Sequence, residues 1–283
     1  MKYSLIKPLV FAVLMMASAF VGAQDTITLI SFNIRNSSAV DYDGPNAWQY
    51  RKEAVVRMIR QERPDAIGFQ ELLPDQVEYL DSALNGEYAR YGGPRDDGKT
   101  KGEMMAIYYN TKRLSLQTKS TLWLSETPFM PSMGWDAACM RTVTHVQLAI
   151  NESERSFLYY NTHLDHVGVS ARKNGLNFIS WLVGQHLRVN NTPVFLGGDF
   201  NCEMTDPIFQ QKLFLDQFDA ARADAPITDS RITYQGYGKD PASQIDHFFY
   251  VNAKPLSFQT LDGDYGVLYI SDHYPIKAVF VIE

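Results

Sequence analysis

An α/β domain whose sheets are covered by helices is the fold class this sequence predicts. Short β-branched or apolar runs are interleaved with stripes of helical period, neither strictly alternating nor segregated. No internal repeat, low-complexity tract or Gly/Ser-rich linker divides the 283 residues. An apolar fraction of 45% is that of a globular protein with a sizeable core. Periodicity by itself leaves the topology open.

The elements follow in order. Thr26 to Phe32 is β-branched and apolar and reads as a strand ending at Asn33. Trp48, Val55, Val56 and Ile59 recur at helical spacing up to Pro64, which stops the helix. Asp65 to Phe69 is a short apolar run that delivers Gln70 and Glu71, and another helix follows Pro74. Met104 to Tyr109 and Arg113 to Leu122 read as consecutive strands, and Ser125 to Met140 as a long irregular segment. Thr142 to Ile150 and Ser156 to Thr162 form a hairpin across Asn151-Glu152. Leu176, Ile179, Val183 and Leu187 mark an amphipathic helix with Ser170 as its N-cap. Pro193 to Leu196 is an apolar strand ending in Gly197-Gly198-Asp199, and Ile245 to Val251 and Lys277 to Ile282 complete the strands.

Residues 1–23 are set aside as a signal peptide. Lys2 and Lys7 precede the apolar run Leu9 to Phe20, and Val21-Gly22-Ala23 offers small residues for cleavage. That run is too short to span a bilayer comfortably, so export to the periplasm or beyond is expected, with no membrane span afterwards. Residues 24–283 then read as one domain with 24 basic against 32 acidic residues, a net charge of −8. Such a field disfavours tight, non-specific binding of a long polyanion. Cys139 and Cys202 would meet an oxidising compartment, but a domain of this size needs no bridge, and two free thiols are expected.

Several polar motifs follow apolar runs. Gly197-Gly198-Asp199-Phe200-Asn201 allows a sharp turn and a close approach, and Asp199 and Asn201 point the same way if extended. Read alone, it is equally an Asx-rich turn. Asn161-Thr162-His163-Leu164-Asp165-His166 adds imidazoles, although a lone histidine is more often structural. Zinc is disfavoured because His163 and His166 lack a third nearby nitrogen or sulfur ligand. Asp272 and His273 precede the last strand, on opposite sides if the backbone is extended, and Asp246 sits at a strand start where it can orient an imidazole. Carboxylates and histidines without cysteine ligands suit a Mg²⁺-type site and transfer at phosphorus, provided the fold gathers them into one cleft.

Together, Asn33, Gln70-Glu71, Thr162 to His166, Gly198 to Asn201, Ile245-Asp246 and Ser271-Asp272-His273 resemble the endonuclease/exonuclease/phosphatase superfamily, in that family's order and over nearly the whole mature chain. The Gly92 to Gly98 turn, Lys101-Gly102-Glu103 and Trp135 to Cys139 further resemble an exported bacterial branch. The resemblance implies a four-layer αββα sandwich, two mixed sheets face to face with helices outside. It also implies that Glu71, helped by Asn33 and Asp272, holds Mg²⁺ or Mn²⁺. Asp199 and Asn201 would orient water and phosphate, Asp199 with a share in metal binding. His163 and His273 would flank the phosphorus, His273 backed by Asp246 and His163 by Glu103. Asn33, His163, Asn201 and Arg141 would contact the phosphate. Tyr234-Gln235-Gly236 departs from the family's usual aromatic–histidine pair.

Two catalytic readings follow. The first is an exported, monomeric phosphodiesterase or phosphatase acting on a small or lipid-derived ester, with Trp123, Phe129, Met130, Met133 and Trp135 walling the cleft. The second is a secreted nuclease using Arg90, Arg95, Lys99 and Lys101 as a basic strip. A non-catalytic binding module on the same fold is the alternative from another class, and the occupied chemical positions weigh against it.

Overall fold

The computed structural model describes residues 25–153 and 155–282. The expected signal peptide lies outside the described residues. Among the described residues no helix is long and apolar enough to cross a membrane.

The first half of the chain supplies β1 (Asp25–Asn33), α1 (Val40–Asp43), α2 (Trp48–Glu62), β2 (Ala66–Gln70), α3 (Pro74–Ala83), β3 (Tyr88–Tyr91), β4 (Ile107–Asn110) and β5 (Leu114–Trp123). There follow β6 (Thr142–Ile150), β7 (Ser156–His163), α4 (Val169–Leu187), β8 (Val194–Asp199), α5 (Lys212–Leu215), β9 (Asp219–Ala220) and α6 (Ala221–Asp224). The chain closes with β10 (Asp246–Val251), β11 (Lys254–Thr260) and β12 (Ile276–Ile282). Two six-stranded sheets result, in the orders β11-β12-β1-β2-β4-β3 and β5-β6-β7-β8-β10-β9. Each contains one parallel pair, β1 with β2 and β7 with β8, among antiparallel neighbours.

Burial explains the layering. Along β1, Ile27 and Leu29 enter the core between the sheets, while Ile30 and Phe32 point the other way, into the layer shared with α2 and α3. A strand buried on both faces needs the continuous apolar run seen there. On the far side, Leu176, Ile179 and Val183 of α4 pack with Leu158, Tyr160 and Leu196 of the second sheet. The order is therefore helix, sheet, sheet, helix, as the family resemblance implies.

A polar column also joins the sheets. Asn161 on β7 donates from Nδ2 to Phe69 O at 2.7 Å and to Ala106 O at 3.1 Å, and accepts from Gln70 Nε2 at 2.6 Å. Tyr159 donates to Ile30 O at 2.8 Å and accepts from Gly68 N at 3.2 Å. A Cβ on Gly68 would stand 2.6 Å from Tyr159 Oη and 2.8 Å from Asn161 Cγ, so only glycine lets β7 approach this closely.

Several boundaries differ from the sequence reading. β3, β9 and β11 carry too little apolar alternation to be found, and β4 begins at Ile107 because Met104 makes only isolated bridges to Leu72 and Pro94. Ser170 does not cap α4. Its N–H, like that of Ala171, is taken by Asp136 from the irregular segment, at 3.2 Å and 2.7 Å. Gly197 and Gly198 lie inside β8 rather than in a turn. They are needed for close approach, since a Cβ would meet the Phe248 ring at 2.6 Å and Thr162 O at 2.3 Å respectively.

Gly68→Ala is expected to lower stability by about 2 kcal/mol, because the added carbon must displace two side chains that are hydrogen-bonded across the sheets. Urea unfolding measures this, and an unchanged midpoint would contradict the close approach.

Candidate active site

Both parallel strand pairs end at the same rim. Asn33 closes β1 opposite Gln70 of β2, and His163 closes β7 opposite Asp199 of β8. Asp246 opens β10 opposite Asp199 from the other side. Glu71 follows β2 in the left-handed region, at φ 65°, which turns its carboxylate back over the rim. Asn33 Nδ2 then donates to Glu71 Oε1 and to Asp199 Oδ2, each at 3.0 Å, so one amide joins carboxylates from the two sheets.

The remaining groups gather around that amide. His273 Nδ1 lies 2.9 Å from Asp246 Oδ2, and its Nε2 lies 3.7 Å from Asp199 Oδ2. His163 Nε2 lies 2.9 Å from Asn201 Nδ2 and 3.3 Å from Asp199 Oδ2. Ser271 Oγ donates to Asn33 O at 2.7 Å, which draws Asp272 and His273 to the end of β1. Glu71 Oε2 accepts from the Asn36 backbone at 3.1 Å and from Asn36 Nδ2 at 3.0 Å. A cleft of ≈ 420 Å³ opens over these groups, and Arg35, Arg95, Glu103, Arg141, His166 and Tyr234 also line it.

Burial and neighbours separate the two imidazoles. For His273, burial alone would lower the pKa, but Asp246, Asp199 and Asp272 outweigh it and raise it to about 10, so the ring is a cation. His163 is held well below its ordinary value by burial and by Arg141 and Arg95, so that ring is neutral. Burial and the nearby Asp246 push Asp199 up to about 7. Burial and Glu71 push Glu103 up to about 7 as well. Burial would raise Glu71, but the Asn33 hydrogen bond and Arg35 hold it below the usual range, while Asp272 is raised by burial and by Glu71.

The structure brings Asn33, Glu71, His163, Asp199, Asn201, Asp246, Asp272, His273 and Arg141 to this one cleft or its wall. Several expectations need correction. Glu103 does not back His163. Its Oε2 lies 2.6 Å from Arg95 Nη1, and His163 Nδ1 is buried without a partner. Asn201 is not extended but sits at φ 52°, where its N–H donates to Asp199 Oδ1 at 2.9 Å. Asp272 and His273 both line the cleft, because their segment precedes β12 instead of lying in it. The basic strip is dispersed. Arg90 pairs with Asp81 at 2.9 Å, and Lys99 and Lys101 belong to a turn whose N–H groups Asp97 accepts. Only Arg95 of the strip lines the cleft. Trp123 is buried and Phe129 is 85% exposed, and the irregular segment's contribution to the cleft is Cys139. Cys139 is half-buried and Cys202 buried, and both are free.

Sequence reasoning missed Arg35 and Asn36 as site residues, although both continue the run from Asn33. Tyr234 departs from the family's usual aromatic–histidine pair, yet its ring lies 4.9 Å from that of His273.

A two-sheet sandwich with acids and imidazoles at one rim is the arrangement that the resemblance to the endonuclease/exonuclease/phosphatase superfamily implied. The model of the endonuclease/exonuclease/phosphatase family matches residues 30–273, and the chain belongs to that family. Its members hydrolyse phosphoesters and generally depend on a divalent metal. A mannosyl-6-phosphatase of Bacteroides thetaiotaomicron is 29% identical, with a TM-score of 0.84 over 90% of this chain and 100% of that one. An uncharacterized protein of Acanthamoeba polyphaga mimivirus is 23% identical over 89% of this chain and 99% of its own length. Nocturnin of Drosophila melanogaster is 27% identical over 74% of this chain, and the match spans 34% of Nocturnin.

The residues present fit such a metal. Asp199, Asp246 and His273 have ligand atoms within 4.8 Å of one another, of which the cationic His273 offers no lone pair, so the carboxylates are the donors, and Asp246 Oδ1 is buried without a partner. Glu71, Asp199 and Asp272 add oxygen donors to a cleft where buried carboxylates repel, the donor chemistry of Mg²⁺ or Mn²⁺.

Arg141 is fixed from behind. Its Nε donates to Asp165 Oδ2 at 3.2 Å and its Nη2 to His166 Nδ1 at 2.9 Å. Asp165 Oδ1 in turn accepts N–H groups of Ala138, Val167 and Gly168 at 3.2, 3.0 and 2.7 Å. Burial opposes ionisation, yet these donors and Arg141 hold the Asp165 carboxyl well below the usual carboxylate range. Because the folded value is the lower one, this contribution is complete above the unfolded value of about 4 and is lost as pH falls below it. Asp165→Asn should therefore cost about 2 kcal/mol at pH 7. The cost should shrink on acidification, as urea midpoints at pH 7 and pH 3 would show. An equal loss at both would contradict an ionised Asp165.

Proposed function

We propose that the protein is a divalent-metal-dependent hydrolase of small phosphate esters, a phosphatase or phosphodiesterase. The convergence of Glu71, Asp199, Asp272, His163 and His273 in one cleft carries this reading. Its ≈ 420 Å³ suits a compact ester. The dispersed basic strip argues against a nuclease, and the exposed Phe129 and Met130 give no support to a lipid-lined cleft. Similarity to the mannosyl-6-phosphatase supports sugar phosphates as the first candidate substrates to test. On the leader reading of residues 1–23, the enzyme works after export.

Glu71, with Asn33 and Asp272, would hold Mg²⁺ or Mn²⁺, and Asp199, which the Asn33 amide joins to Glu71, would share in it. When bound, such a cation offsets charge on the phosphoryl oxygens. Asp199, with a pKa near neutral, is suited to take a proton from the attacking water. Asn33 holds that carboxylate in place from Nδ2, and the Asn201 N–H holds its other oxygen. His273, kept cationic by Asp246, would bind a phosphoryl oxygen, and neutral His163, whose Nε2 accepts from Asn201 Nδ2, would stand beside the phosphate as a proton acceptor. Arg141 adds a fixed positive charge beside His163, where charge grows in the transition state.

Asp199→Ala and His273→Ala should each lose about 10³-fold in kcat while keeping the wild-type circular dichroism spectrum. Asp246→Ala should fall in the same range, because His273 loses both its orientation and its charge. Turnover is to be measured on a panel of hexose phosphate, a phosphodiester, a choline phospholipid, RNA and plasmid DNA, with Mg²⁺ and with chelator. Metal-dependent release from the small esters alone is the expected result. Degradation of polymer alone, or undiminished turnover in all three variants, would overturn it.

A further inference from the structure

Helix α2 carries a charge where its apolar stripe should continue. Arg51 stands three residues after Trp48 and four before Val55, on the face that also buries Met58 and Ile59. It is 1% exposed, and among the described residues no carboxylate lies within ion-pair distance of its guanidinium. Arginines buried this deeply are ordinarily paired.

Its donors go to main-chain carbonyls instead. Nε donates to Asn46 O at 2.9 Å and Nη2 to Arg35 O at 2.7 Å. Nη1 donates to Ile270 O at 3.1 Å and also to Ile34 O. The Trp48 ring lies 5.3 Å from the guanidinium carbon and covers it. Ile34 and Arg35 directly follow Asn33, and Ile270 directly precedes Ser271, Asp272 and His273. The two segments are more than 230 residues apart in sequence, since Ser271 Oγ reaches Asn33 O across 238 positions. Arg35 is in the left-handed region at φ 58°, a conformation a bulky residue adopts only when its surroundings impose it. Arginine's planar fork aims several donors at once, whereas a lysine ammonium is one compact point charge.

We propose that Arg51 is the positioning residue of this site: its guanidinium fastens the Asn33–Arg35 turn to the Ile270–His273 segment, so that Asn33, Glu71 and Asp272 stay in register for a divalent cation. The cation is taken from the function proposed above, and the placement of the two segments stands without it. Arg51 touches no reacting atom in this account and acts only through the backbone it holds.

Mn²⁺ binding, followed by electron paramagnetic resonance, and kcat and KM on a hexose phosphate are to be compared in wild type, Arg51→Lys and Met58→Ala. Met58 is buried on the same helix, in the apolar cluster that also holds Ile34 and Ile270, and its thioether has no donor for their carbonyls, so it reports what lost packing alone does. Arg51→Lys is expected to weaken Mn²⁺ binding about tenfold and to lower kcat more than it raises KM, while Met58→Ala keeps wild-type values for both. Three results would overturn the proposal: wild-type Mn²⁺ affinity in Arg51→Lys, equal weakening in Met58→Ala, or failure of Arg51→Lys to fold where Met58→Ala folds. The binding arm separates this inference from the functional one. If wild type hydrolyses no ester but Arg51→Lys still loses Mn²⁺, the substrate reading fails and the positioning role stands.

Discussion

The side-chain amide of Asn33 is the constraint on which the rest of the site depends. Its nitrogen has two hydrogens, and the two acceptors that take them come from different sheets, Glu71 after β2 and Asp199 at the end of β8. Two carboxylates facing each other in a low-dielectric cleft repel, and a shared neutral donor is a direct way to hold them at fixed separation without cancelling their charge. Asn33 can do this only if both sheets end at the same height. The column formed by Tyr159, Asn161 and Gln70 sets that height by hydrogen-bonding the sheets together beneath the rim.

From this frame the electrostatics follow. The acids that surround His273 outweigh its burial and keep it charged, while His163, close to Arg141 and Arg95, stays neutral. Two identical side chains thus take different roles, since burial wins at His163, where Arg141 and Arg95 add to it, and loses at His273, where the acids outweigh it. Burial raises the pKa values of Asp199, Glu103 and Asp272, and in each case a neighbouring carboxylate, Asp246 or Glu71, adds to the rise. A bound divalent cation would offset both the burial and the repulsion between these carboxylates, which is why the donor set fits one.

Much of this was legible in the sequence because the site residues end strands. The runs before Asn33, Glu71, His163 and Asp199 are apolar enough to mark as buried strands, and a buried strand delivers whatever follows it to a sheet rim. Asp246 could be placed in the same way, at a strand start. What escaped was set by tertiary contact. Glu103 stood near the expected position for backing His163 but turned to Arg95, and Asn201 adopted a left-handed backbone to reach both Asp199 and His163. Asp136 replaced Ser170 at the start of α4 from 34 residues away, a pairing that no local pattern encodes. Arg51 left a visible signal, a charge on an apolar helical face, but its carbonyl partners lie on segments that only the fold brings near.

A crystal soaked with Mn²⁺ and a phosphate analogue tests the central claim most directly, through the anomalous signal of the metal. The account predicts a peak at coordination distance from a Glu71 oxygen, with the analogue lying between His163 and His273. A metal held instead at Cys139, Asp165 and His166, with Glu71 and Asp199 left bare, would contradict it.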